Sequence, residues 1–134
     1  MSVIEEALVS ILAADGTVSG LVGTRIYPLV VPQNPTLPAI AYQRISGVRE
    51  HTHDEVGDLA RPRFQFTSIA TTYSAAKALA NAVREALDNY SATKLSVVID
   101  AIFVENEIDV FNLSEDQGDN TYGVLVDATV WHHE

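Results

Sequence analysis

The chain has 134 residues with 18 acidic against 8 basic side chains, a net charge of -10 and no cysteine. That length suits one domain burying a core without staples, and the missing cysteines exclude disulfide scaffolds, thiolate zinc sites, iron–sulfur clusters and thiol nucleophiles. The charge is lopsided: residues 1–94 carry nine acids and eight bases, whereas 95–134 carry nine acids and no lysine or arginine, which disfavours a grip on phosphates.

In chain order, residues 3–14 place Ile4, Leu8, Ile11 and Leu12 at helical spacing, with Glu5 and Glu6 in the first turn where they complement the helix dipole. Asp15-Gly16 stops that helix, and 17–22 form a short second one ending at Gly23. Residues 26–38 hold prolines at 28, 32, 35 and 38 and read as an extended connector. Residues 39–48 and 63–70 alternate as strands and are expected to be antiparallel neighbours. Between them, 49–62 is a polar stretch too long for a tight turn and is expected to project as a loop.

Hydroxyls at Thr71, Thr72 and Ser74 offer caps for a helix over 75–90 that sets Ala76, Leu79, Ala80, Val83, Leu87 and Tyr90 on one face. Its many alanines invite close packing against a sheet. Residues 97–111 form a strand whose two faces are both partly apolar and which turns acidic from Glu105. Residues 113–121 are turn-rich, and 122–131 return as a strand with Tyr122, Val124, Val126, Ala128 and Val130 facing one way. The order α-β-β-α-β-β points to an α+β fold, an antiparallel β-sheet with helices packed on one face, in a single domain over 1–134 with a projecting loop at 49–62 and an acidic C-terminal hairpin at 97–131. No apolar run approaches the roughly 18 residues of a membrane span. Met1-Ser2-Val3-Ile4-Glu5-Glu6 also lacks the basic start of a secretory signal, so a soluble intracellular product is expected.

Signatures of catalysis are weak. His51-Thr52-His53-Asp54-Glu55 places two imidazoles at i and i+2 beside carboxylates, a set that suits a divalent metal. No third ligand stands at a firm spacing, and a solvated loop tip is the simpler reading. His132-His133-Glu134 sits where a chain end should fray. Glycines 16, 20 and 23 follow no strand and precede no Gly-Lys-Ser, so they do not make a phosphate cradle. No serine elbow of a hydrolase is present. Glu105, Glu107 and Asp109 alternate at i, i+2 and i+4, which on a regular strand puts three carboxylates on one face; such groups could serve acid–base catalysis, but a solvated strand face is simpler. The residues favour an assembly or binding module, with no catalytic, cofactor or metal site expected.

Five ordered segments carry a resemblance. The helix Ile4-Glu5-Glu6-Ala7-Leu8, the run Leu21-Val22-Gly23-Thr24-Arg25-Ile26-Tyr27-Pro28, the strand Leu37-Pro38-Ala39-Ile40-Ala41-Tyr42-Gln43-Arg44-Ile45-Ser46, the alanine-rich helix 76–87 and the closing Val126-Asp127-Ala128-Thr129-Val130-Trp131-His132 together resemble the tail-completion protein family of tailed bacteriophages and prophages. The resemblance implies a tail-terminator-like fold and a virion structural protein that forms a ring, usually hexameric, on the head-proximal end of the tail tube. There it stops polymerisation and presents the surface that joins the neck. The implied partners are further copies of the chain, the tail-tube protein and neck or connector proteins. DNA would pass through without specific binding, and neither a cofactor nor a membrane is involved. The implied location is the virion tail, reached from the host cytoplasm during assembly.

A head–tail connector or neck subunit is the alternative reading; a small metal-binding or carboxylate-dependent enzyme is a distant third. A ring needs a heterologous interface, for which the arm 28–38 and the loop 49–62 are candidates. Arg44, Arg49, Arg61 and Arg63, with His51 and His53, would face a neighbour's acids. Glu105, Glu107, Asp109, Glu115, Asp116 and Asp119 would face the channel, where carboxylates repel phosphate.

Overall fold

The computed structural model describes residues 4–29, 36–47, 59–111 and 121–133. Helix α1 (Ile4–Ala14) buries Ile4, Ala7, Leu8, Ile11 and Leu12, the i, i+3, i+4, i+7, i+8 stripe of an amphipathic helix. Asp15 both ends α1 and starts α2 (Gly16–Val22): its carboxylate accepts the Thr17 and Val18 backbone N–H groups, each at 3.0 Å. A cap of this kind contributes about 0.5–2 kcal/mol. Gly23, at φ 60°, closes α2 by donating its N–H to the Ser19 carbonyl at 2.8 Å; that backbone conformation favours glycine.

Seven strands among the described residues make one sheet: β1 (Ile26–Pro28), β2 (Ala39–Ser46), β3 (Leu59–Ala60), β4 (Arg63–Ala70), β5 (Ala92–Lys94), β6 (Val97–Phe111) and β7 (Tyr122–His133). They lie in the order β1-β2-β4-β7-β6-β5, with β3 pairing the end of β7. The expected antiparallel β2–β4 and β6–β7 pairs are present.

Several expectations need correction. The sheet is not wholly antiparallel, because β1 runs parallel to β2. The proline-rich segment supplies the long crossover that a parallel pair requires, and Arg25 ties it down, donating from Nε to the Pro38 carbonyl at 2.9 Å and from Nη2 to the Leu21 carbonyl at 3.2 Å. At the end of the expected loop, Leu59 and Ala60 are strand, pairing with His133 and His132, and the Pro62 carbonyl accepts the Val130 N–H. The same pairing holds the chain end as strand to His133 where fraying was expected. Helix α3 (Tyr73–Leu87) begins two residues early, capped by the Thr72 hydroxyl on the Ala75 N–H at 3.1 Å. β5, which alternation did not reveal, joins β6 through Leu95 and Ser96, at φ 50° and 68°. Two central residues at positive φ make the tight hairpin turn that usually announces itself with Asn-Gly, and Leu-Ser carries no such signal.

All three helices lie on one face of the sheet. Phe64, Phe66, Ala128 and Val130 meet Leu79, Val83 and Leu87 from α3 and the apolar faces of α1 and α2 in the main core. Ala76 and Ala80 bring α3 close against Val124 and Val126 in a second cluster. The mixed pattern of β6 has a physical cause. A register shift between Ile99 and Ala101 inserts Asp100, and a second between Val104 and Asn106 inserts Glu105. Each β-bulge swaps the faces of the residues after it. Val97 and Ile99, then Ile102 and Val104, therefore turn toward the helices, while Val98 and Phe103 stay exposed.

Candidate assembly surface

The second bulge breaks the three-carboxylate face. Glu107 and Asp109 stand opposite Val126 and Val124 on the helix side, where Lys77 of α3 bridges them, with Nζ 3.3 Å from an oxygen of each. The Tyr73 hydroxyl donates to Asp109 Oδ2 at 2.7 Å, and the Tyr73 ring lies under Lys77 Nζ at 5.6 Å and edge-on to Tyr122 at 6.4 Å. Glu105, the inserted residue, has no Cα partner on β7 and is exposed. Two of the predicted channel-facing acids thus fasten the start of α3 to β6. Glu115, Asp116 and Asp119 lie outside the described residues.

The electrostatics of this cluster are local. The Tyr73 hydrogen bond, the largest cause, together with the bond and charge of Lys77, holds the Asp109 carboxyl below the ordinary carboxylate range against the opposing effect of desolvation. The bond to Asp109 raises the Tyr73 phenol, and the bond to Glu107 raises Lys77. A carboxyl depressed on folding adds stability above its unfolded pKa, and that contribution is lost as pH falls through the folded value. Tyr73→Phe is accordingly expected to move the Asp109 titration, followed by side-chain carboxyl NMR, to higher pH. An unmoved titration would mean that the hydroxyl is not the main cause.

The arginines expected to reach a neighbour already have partners within the chain. Arg44 Nη2 lies 3.1 Å from Glu5 Oε2, and its guanidinium stands 5.3 Å over the Phe64 ring. Arg61 stacks 5.4 Å from the Trp131 ring centre. Arg63 Nη2 meets Asp127 Oδ2 at 3.4 Å, and Gln65 Nε2 donates to Asp127 Oδ1 at 3.3 Å. That carboxylate is buried on the sheet face away from the helices, and the pair satisfies it. Arg49, His51 and His53 lie outside the described residues. Among the described residues no three His, Asp or Glu side chains come together as a metal site. His133 Nε2 instead lies 3.1 Å from an oxygen of Asp100, the first inserted residue.

The feature that sequence patterning did not reveal is apolar. On the sheet face without helices, β6 exposes Val98, Phe103 and Ile108 at 43–45 %, and Ala101, Val110, Leu125 and Trp131 beside them are half-buried. The signal was present in the strand whose two faces are both apolar. The distal part of β6 is exposed on both faces: residues 105–109 are exposed without interruption. Gln43 to Ser46, at the end of β2, form a second such run.

The arrangement offers edges, an apolar face and fixed charges, which serve binding between large surfaces. Among the described residues no helix is long and apolar enough to cross a membrane. The family described as Tail completion protein gp17 matches residues 6–133. No curated protein matches the chain. Among solved structures, a chain of the virion of a native gene transfer agent particle is similar at a TM-score of 0.68 and 22 % identity, with 96 % of this chain and 94 % of that chain covered.

Proposed function

The chain belongs to the tail completion protein family, and on that premise we propose that it closes the head-proximal end of the tail tube as a ring, hexameric by the family pattern. The family is one of structural phage tail proteins and not of enzymes, and the protein is a component of the virion. In the proposed assembly each ring contacts the tail-tube protein on one side and neck or connector proteins on the other. It stops tube growth and leaves a passage for DNA. The family match over almost the whole chain is the observation that carries this reading.

Charge placement supports it. A passage for DNA must repel phosphate rather than hold it, and carboxylates do so within the roughly 10 Å that salt leaves unscreened. Lys77 offsets part of the Glu107 and Asp109 charge. The repulsion therefore falls to Glu105 and to Glu115, Asp116 and Asp119, which we place toward the channel or its rim. The loop around 49–58, with Arg49, His51 and His53, is kept as a contact between subunits. Arg44, Arg61 and Arg63 act there only by exchanging their present partners. Light scattering on the purified chain, with negative-stain imaging, is expected to show a closed ring with a central opening. A chain that stays monomeric at high concentration and fails to bind isolated tail tubes would overturn the reading.

A further inference from the structure

The sheet face without helices carries its apolar and charged side chains in separate columns. On β6, Val98 and Phe103 are 43 % and 45 % exposed, with half-buried Ala101 between them. Half-buried Trp131 and Thr129 of β7 stand opposite Ala101 and Phe103. The arginines lie on the far side of β7. Arg61 stacks on the Trp131 ring, and Arg63, opposite Thr129, reaches Asp127. The acid lies on the near side, where the first bulge of β6 brings Asp100 to within 3.1 Å of His133. Exposed apolar clusters mark contact sites, and arginine beside aromatic rings is the composition of interface centres.

We infer that this face pairs with the same face of a second copy, sheet on sheet, about a two-fold axis running along β7. Charge selects the axis. A two-fold along the strands exchanges the columns on either side of β7 and keeps every row at its own level. Arg61 stands between Ala60 and Pro62 at the level of Trp131, so it meets the Ala101 row of the second copy and the Asp100 beside it. Arg63 meets Phe103 of the second copy, because both stand in the Thr129 row. A guanidinium bonds a carboxylate through several N–H donors and stacks on an aromatic face, so both contacts suit their partners. Asp127 sits on the axis but brings no bare charge, since Arg63 and Gln65 hold it. A two-fold across the strands would instead lay each column over itself and set arginine against arginine. Aligned sheets pack face to face in this manner about 10 Å apart.

The pairing is weak. Between the His133 and Asp127 rows, three strands about 4.8 Å apart with levels about 3.3 Å apart cover roughly 300 Å², well under the roughly 800 Å² per partner of a standard interface. It is populated in concentrated protein and absent from a dilute unfolding titration. The inference does not rest on the ring reading, because a ring closes through two different patches and this patch meets itself. A ring between tube and neck has unlike neighbours on its two sides and no two-fold axis across it, so within that reading the pairing belongs to protein that has not yet joined a tail. There it covers the apolar face.

Thr129→Cys puts one cysteine on the axis of a chain that has none. In concentrated protein a short bis-maleimide should join this variant into dimers. Adding Asp100→Arg should abolish the dimer by facing Arg61 with a like charge, and adding Arg61→Asp to that chain should restore it. A second charge change does not repair a misfolded chain, so the rescue reads the contact itself. Dimers that survive Asp100→Arg would overturn the inference. No dimer from Thr129→Cys would overturn it as well, and a closed ring in light scattering beside that result leaves the ring reading standing. Dimers that follow the charges, in a protein that forms no ring and binds no tail tube, would support the inference and contradict the ring.

Discussion

Phe66→Ala is expected to lower the free energy of unfolding by about 3–5 kcal/mol, the usual cost of deleting a buried aromatic ring together with the cavity it leaves. Phe66 is wholly buried at the middle of β4. Tyr42 and Val126 flank it across the strands, and the Phe64 ring lies 6.4 Å away. Because a domain has only about 5–15 kcal/mol of net stability, the midpoint in a denaturant titration should fall steeply while the slope stays constant. Phe103→Ala removes the same ring from the other face, where 45 % of Phe103 is exposed, and should change stability by roughly 0.5 kcal/mol or less, as a surface substitution does. Equal losses at the two positions would mean that the helices cover both faces of the sheet.

Ala80→Leu is expected to cost about 1–3 kcal/mol, because an added side chain has no room in a packed interior. Ala80 is 1 % exposed and Ala76 is 0 % exposed where α3 meets Val124 and Val126, so the methyl groups set how near the helix lies to the sheet. Ala78→Leu on the same helix is exposed, and leucine and alanine are both good helix formers; it should leave stability within roughly 0.5 kcal/mol. The comparison by denaturant unfolding separates packing from helix propensity. A neutral Ala80→Leu would mean that the contact between α3 and the sheet is loose.

The long elements were legible because each buries one face. α1, α3, β4 and β7 show periods that solvent and core impose directly, and their buried residues match the apolar stripes. β6 was legible as a strand but not in its facing: each bulge swaps its register, and the sequence shows only a segment apolar on both sides. The short strands carried no pattern of their own. β1 is three residues beside prolines, held by its pairing with β2. β3 is two residues, held by β7. β5 depends on a Leu-Ser turn that only backbone angles identify.

The charged residues were the least legible. Asp127 lies 62 and 64 positions from Gln65 and Arg63, and Lys77 about 30 from Glu107 and Asp109. Charges that look free along the chain are therefore paired across the sheet. The lopsided charge keeps its meaning only for Glu105 and for acids beyond the described residues.

The central claim is that the protein sits as a ring at the head-proximal end of the tail tube. A single Ser74→Cys, at an exposed position near the start of α3 in a chain with no other cysteine, can be labelled with gold in intact particles and imaged. Label confined to one level, where each tail meets its head, is the predicted result. Label spread along the tube or collected at the distal tip would contradict it.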